Sequence, residues 1–182
     1  MERRRLFEDK PPGDLRQRGH QGIHGLNVVL YQPEIPQNTG SIARLCVGAD
    51  AVLHLVHPLG FRTDEAALKR AGLDYWENLT LYEHAHWQAF LDAFPAASQR
   101  MWLLSSKVER PYATAPFMPG DFLVFGPETR GLPADLLLQH RDNCLTIPTL
   151  GPVRSFNLSN AVAIVLYEAI RQVQKEAFTW KS

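Results

Sequence analysis

The chain is poor in cysteine, with two in 182 residues, and it has no excess charge of either sign, since 19 Lys and Arg balance 19 Asp and Glu. Cys46 and Cys144 lie far apart in apolar surroundings. That context favours small core residues over a disulfide or a nucleophile, and it suits a reducing compartment. Zero net charge excludes a global basic field, so any contact with nucleic acid must come from local patches. No apolar run reaches about 18 residues and the N-terminus lacks the apolar stretch of a signal peptide, so neither a membrane span nor export is expected and the predicted location is cytoplasmic. Walker-type G-x-x-x-x-G-K-[ST], G-x-G-x-x-G and G-x-S-x-G patterns are missing, which disfavours a nucleotide-binding hydrolase and a serine hydrolase. His54/His57 and His84/His86 are closely spaced but are joined by no further Cys, His or carboxylate in a ligand pattern, so no metal site is expected.

What is present is the composition of a globular chain, 45% hydrophobic and 21% charged, long enough for one domain with a real core. Residues 1–25 (MERRRLFEDKPPGDLRQRGHQGIHG) hold charge, Pro and Gly with few apolar residues, so a disordered N-terminal extension is expected there, a solvated tail or a source of arginines for RNA. Residues 26–175 read as a single domain and 176–182 as a C-terminal tail. Strand candidates LNVVLY, AVLHLV, LTLY, MWLLS, FLVF and CLTI alternate with helical segments Thr39 to Gly48, Asp64 to Ala71, His86 to Phe94, Ala134 to His140 and Leu158 to Lys175. Short apolar strands alternating with helices predict an α/β fold, a mostly parallel sheet with helices on both faces.

Three loops following strand candidates carry the polar and glycine-rich residues. Gln32 to Arg44 (QPEIPQNTGSIAR) follows the first strand, and Asn38 or Thr39 is placed to cap a helix on which Arg44 lies one to two turns in. A capped helix start at a strand end is a natural anion site, so a phosphate near Arg44 makes chemical sense, although on this segment alone an ordinary surface arginine is the favoured reading. Phe125 to Pro133 (FGPETRGLP) sets two glycines around a charged turn, where glycine permits close backbone approach or positive φ and Pro133 suits a helix start. Ile147-Pro148 and Arg154 to Asn160 (RSFNLSN) open the last helix. Loops at strand ends of a rigid sheet are where α/β proteins place ligand sites.

Together these loops resemble the three motifs of the SpoU branch of the SPOUT methyltransferases, and most of all the TrmL-like (YibK) group. The resemblance runs from about Leu26 to about Gln174 and includes AGLDYWE at Ala71 to Glu77. It implies a C-terminal deep trefoil knot, which composition and periodicity would never suggest. It implies S-adenosyl-L-methionine (AdoMet) as cofactor, with contacts on Leu104, Gly126, Ile147 and Ser155, although Leu104 and Ile147 also read as plain core residues. It also implies that Arg44 acts on a ribose 2'-hydroxyl, with Asn38, Glu128 and Asn157 as further catalytic candidates. A guanidinium keeps its proton to a pKa above about 12. Arg44 therefore reads either as a base or as a clamp on phosphate and developing alkoxide.

For RNA, the candidates are Lys69 and Arg70 in ALKRAG, Lys107 and Arg110 in SSKVERPY, and Arg154; Tyr75, Trp76 and Tyr112 could stack unpaired bases or belong to the core. The last helix is apolar on more than one face, through Val162, Ala163, Val165, Leu166, Ala169, Ile170 and Val173, and so wants burial on two sides. By resemblance it belongs to a homodimer interface, with Tyr167 either an interface residue or a neighbour of the site. The expected function is 2'-O-methylation of the wobble nucleotide in the anticodon stem-loop of tRNA. Another tRNA or rRNA site, or a silent RNA-binding relative, is the alternative.

Overall fold

The structure, a computed structural model, describes residues 24–61 and 78–178. Strands β1 (Asn27–Tyr31), β2 (Val52–Val56), β3 (Leu81–His84), β4 (Met101–Leu104), β5 (Phe122–Phe125) and β6 (Cys144–Leu145) form one sheet. Its order is β3-β2-β1-β5-β4-β6, and every adjacent pair is parallel. The helices are α1 (Pro36–Ala49), α2 (Trp87–Ala93), α3 (Ala97–Arg100), α4 (Ala134–Gln139) and α5 (Leu158–Val173). Alternation along the strands divides the core. Val28, Leu30, Leu53, Leu55, Leu123 and Phe125 point to the face covered by α1 and α5, while Val29, Val56, Phe122 and Val124 meet Phe90, Ala97 and Leu136 from α2, α3 and α4. Helices on both faces explain why β1 and β5 are almost continuously apolar.

Several boundaries differ from expectation. The third strand begins at Leu81, two residues past the start of LTLY, and runs through Glu83 to His84. A polar-looking segment becomes a strand because His84 is buried, its ring stacked on that of His54. The last strand stops at Leu145, since Thr146 changes partner: it donates its N–H to the Arg110 carbonyl at 2.7 Å and accepts from the Tyr112 N–H at 2.8 Å. Helix α1 starts at Pro36, not beyond Asn38 or Thr39, and its N-cap residue Ile35 offers no capping side chain. Packing also reaches back to His24, within the segment assigned to the extension. Its Nδ1 accepts from the Leu26 N–H, leaving Nε2 to donate to the Ala49 carbonyl at 2.6 Å. Residues 1–23 of that extension, the helix expected at 64–71, the AGLDYWE segment, Lys69, Arg70, Tyr75 and Trp76 lie outside the described residues, as do residues 179–182 of the tail.

A neutral polar cluster sits inside the face carried by α2 and α3. The Asn27 amide nitrogen donates to the Gly25 carbonyl at 2.8 Å, so its oxygen accepts from His54 Nε2 at 3.0 Å. That assigns the single ring proton of neutral His54 to Nε2, and His54 Nδ1 must accept from His84 Nε2 at 3.1 Å. Phe90 and Phe94 close edge-on around both rings. Burial, the main cause, holds the His54 pKa well below the ordinary histidine value. It also brings His84 down to about 4, opposed by the nearby Glu83 carboxylate.

Candidate functional site

An all-parallel sheet delivers every strand's carboxyl end to one edge. Because β1, β5, β4 and β6 are consecutive in the sheet, the loops that follow them meet there. Helix α1 enters this edge with no acidic side chain in its first turn, and the β5 loop supplies a carboxylate to the residues that lead into it. The Glu128 carboxylate accepts from the Glu34 N–H at 2.8 Å, the Ile35 N–H at 3.2 Å and the Asn38 amide at 3.0 Å. It thus caps the helix from another segment and places a negative charge at its positive end. The exchange is reciprocal. The Glu34 carboxylate accepts the Thr129 N–H at 2.9 Å and the Thr129 hydroxyl at 2.7 Å, which keeps the Glu34 pKa below the ordinary carboxylate value. Arg130 adds a bond from its guanidinium to the Gln32 side-chain oxygen at 2.8 Å.

The third loop joins through asparagines. Glu128 can only accept, so Asn38 turns its nitrogen to Glu128 and its oxygen to the Asn157 nitrogen at 3.0 Å. The Asn157 oxygen is then left to cap α5, where it accepts from the Ser159 N–H at 3.0 Å. Three of the four catalytic candidates, Asn38, Glu128 and Asn157, are therefore one hydrogen-bonded chain linking all three loops. Arg44 lies further along α1 on its exposed side, the side away from Ile42, Ala43 and Cys46 in the core.

The four residues assigned to the cofactor share the same edge. Leu104 pairs laterally with Phe125 on one side and Leu145 on the other. Gly126 and Ile147 therefore extend just beyond its two neighbours. Leu104 is buried, Ile147 is half-buried against the same core, and Ser155 is exposed. Apolar side chains beside backbone and small polar groups are a set that suits a planar base and a ribose better than a metal ion. Among the described residues, no three His, Cys, Asp or Glu side chains are grouped as ligands. Gly126 is needed by the loop itself: a Cβ there would stand 2.3 Å from the Leu132 nitrogen and 2.5 Å from the Gly131 carbonyl carbon. Positive φ falls to Gly131, at +69°.

The basic candidates do not share one place, since Arg110 is directed toward the amino ends of β4 and β6. Lys107 is exposed and donates its Nζ to the Arg130 carbonyl at 3.0 Å. Arg110 stacks over the Trp102 ring at 5.3 Å and donates to the Asp142 carbonyl. Arg154 is exposed beside Ser155. Glu34 and Thr129 are not legible as partners in the sequence, where nothing in QPEIP or PETRG marks two segments that exchange hydrogen bonds across 95 positions.

Comparison with known proteins agrees with this geometry. Residues 25–167 match the SpoU rRNA Methylase family. The chain is 49% identical over 148 residues to a tRNA (cytidine(34)-2'-O)-methyltransferase of Saccharophagus degradans, covering 81% of this chain and 95% of that protein. It is 46% identical over 149 residues to the Escherichia coli K12 protein of the same name, with 81% and 94% coverage. A solved structure concerned with the 2-OH methylation of C/U34 on tRNA superposes with a TM-score of 0.74 at 48% identity, covering 81% of this chain and 95% of that one. An AdoMet-bound rRNA methyltransferase from Sinorhizobium meliloti aligns at 26% identity with a TM-score of 0.70, over 80% of this chain and 56% of that one. The match over most of the chain, together with the three loops gathered at one edge of a parallel sheet, makes this protein a member of the SpoU rRNA methylase family.

Proposed function

We propose that this chain is an AdoMet-dependent 2'-O-methyltransferase of tRNA nucleotide 34, acting as a cytoplasmic homodimer on the anticodon stem-loop. The observation that carries the reading is likeness over nearly the full length of relatives that bear this activity in their names. Leu104, Gly126, Ile147 and Ser155 would hold the cofactor, which when bound supplies an electrophilic methyl group on a sulfonium. The chain's own task is then alignment and charge stabilisation, for which no metal is needed. Arg44 would clamp the phosphate beside the target ribose and donate to the 2'-oxygen as its proton leaves, stabilising charge that appears only in the transition state. Asn38, Glu128 and Asn157 would fix the helix that carries it. Lys107 and Arg154, with Lys69 and Arg70, would meet the RNA backbone.

The trefoil knot is inferred on the ground of family membership. Homodimerisation is supported by α5, which buries Val162, Val165, Leu166 and Ala169 against α1 and the sheet while Tyr167 on its outer side remains 44% exposed. Leu150, Val153 and Phe156 are exposed apolar residues of the third loop, and such a patch suits a second copy. Two measurements test the reading. The first is mapping of 2'-O-methyl groups in tRNA from cells with and without the gene, where loss confined to nucleotide 34 is expected. The second is methylation of an anticodon stem-loop with ribose or 2'-deoxyribose at that position; a methylated deoxy substrate would assign the methyl group to a base and overturn the proposal. Light scattering should return a dimer, and a fully active monomer would remove the shared interface.

A further inference from the structure

The reciprocal exchange between the first two loops is more than a cap. Each loop donates backbone N–H groups to the other's carboxylate: Glu34 and Ile35 to Glu128, and Thr129 to Glu34. Two adjacent acids are held by donors facing in opposite directions, so neither loop can shift without breaking bonds in both. Glu34 is also fixed from a third side. A Cβ on Gly60 would stand 2.7 Å from the Glu34 Cα, and the Gly60 N–H donates to the Pro33 carbonyl at 2.9 Å, so the loop after β2 backs it directly. Gly126 immediately precedes the closed turn that carries Thr129, in which the Gly131 N–H bonds the Pro127 carbonyl at 3.0 Å. At the other end, Glu34 lies next to Ile35, the N-cap residue of the helix of Asn38 and Arg44.

We infer that Glu34 is a positioning residue that couples occupancy of the cofactor loop to ordering of the first turn of α1, through Thr129 and the returning Glu128 carboxylate. The inference rests on the reading that the β5 loop holds AdoMet. A ligand that restrains Gly126 to Leu132 restrains Thr129 and Glu128, and with them the Glu34, Ile35 and Asn38 groups they grip. The effect is reciprocal, because a coupling free energy acts equally from either site. The device makes the methyl acceptor side of the site competent only when the donor side is loaded.

The test uses AdoMet alone as ligand and follows amide hydrogen exchange of residues 34–40 alongside single-turnover methylation. In the wild-type chain AdoMet should slow exchange both in the β5 loop and in residues 34–40. Glu34→Ala should keep the first effect and weaken the second, since the Glu128 bonds remain, with the methylation rate lowered about 10-fold at saturating AdoMet and the AdoMet Kd changed less than the rate. Glu34→Gln keeps an acceptor oxygen and should fall between. Thr129→Val should reproduce part of the defect and Thr129→Ser should restore most of the protection, a rescue that a general loss of stability would not give. Equal AdoMet-dependent protection of 34–40 in wild type and Glu34→Ala would overturn the inference, as would a wild-type chain in which only the β5 loop responds. If the protection behaves as expected but nucleotide 34 is not the methylated position, the proposed substrate fails and the coupling stands.

Discussion

The rim network of Glu34, Glu128, Asn38 and Asn157 and the interior network of Asn27, His54 and His84 solve the same problem, satisfying polar groups at the sheet, by opposite means. The rim uses carboxylates in contact with solvent and backbone N–H donors from loops. The interior uses neutral rings, His54 fully buried and His84 nearly so, in a fixed tautomer order. Charge is tolerable at the rim because water and several donors remain available, and it can be placed where a substrate arrives. In the interior, charge would be costly, so the cluster gives up proton chemistry and serves register and packing between β1, β2 and β3. The difference teaches that a polar cluster is not a site by virtue of its residue types: burial holds the two titratable histidines neutral, whereas the rim keeps its carboxylates within reach of solvent.

This division predicts that rim-edge changes alter rate and interior changes alter stability. The largest effect is expected from Arg44→Ala, which should lose about 10²–10³ in single-turnover methylation with AdoMet affinity nearly unchanged; Arg44→Lys should rescue poorly, because an ammonium cannot reproduce a planar fork. Wild-type turnover by Arg44→Ala would remove the residue from the mechanism. Next, His54→Ala should lower unfolding free energy by about 2–4 kcal/mol, through a cavity among the phenylalanines and an orphaned Asn27 oxygen, while activity per folded molecule persists below the melting range. A specific rate defect with unchanged denaturant midpoint would break the comparison.

Gly126→Ala should cost about 1–3 kcal/mol of strain, since its Cβ would meet backbone and not a flexible side chain. Calorimetry should show it mainly as weakened AdoMet binding, and unaltered affinity would detach this loop from the cofactor. Glu128→Gln weakens the cap on α1 by about 1 kcal/mol; a fall in methylation rate with little change in melting temperature would place the rim on the functional side. The smallest effect is a pH response. His54 and His84 have depressed pKa values in the folded chain, so the unfolded chain binds more protons below the ordinary value of 6.5. Stability from this source is fully present above that pH and is lost as pH falls toward about 4 for His84 and lower still for His54. Thermal melts between pH 7 and pH 4.5 should show the decline. His84→Gln, which keeps a donor for His54, should flatten it.

Composition and pattern were enough for much of this. Six apolar runs between helical segments gave the parallel sheet, and glycine and proline beside Glu128, Asn38 and Asn157 marked the loops that gather at its edge. Local sequence could not supply the cap on α1. Ile35 and Pro36 contain no capping group, and the nearest residues that could cap, Asn38 and Thr39, lie inside the helix. The group that caps it, Glu128, is 94 positions from Glu34 in the chain, and only the strand order that seats β5 beside β1 brings it there. The same holds for His84, whose segment resembles a loop until β2 pairs with it. Sequence by itself determined which residues prefer strand, helix or turn and which side chains are capable of the chemistry, because those are properties of a residue and its near neighbours. Tertiary structure decided which carboxylate meets which N–H and which histidines stay neutral, because hydrogen-bond partners and desolvation depend on what the rest of the chain places within a few ångströms.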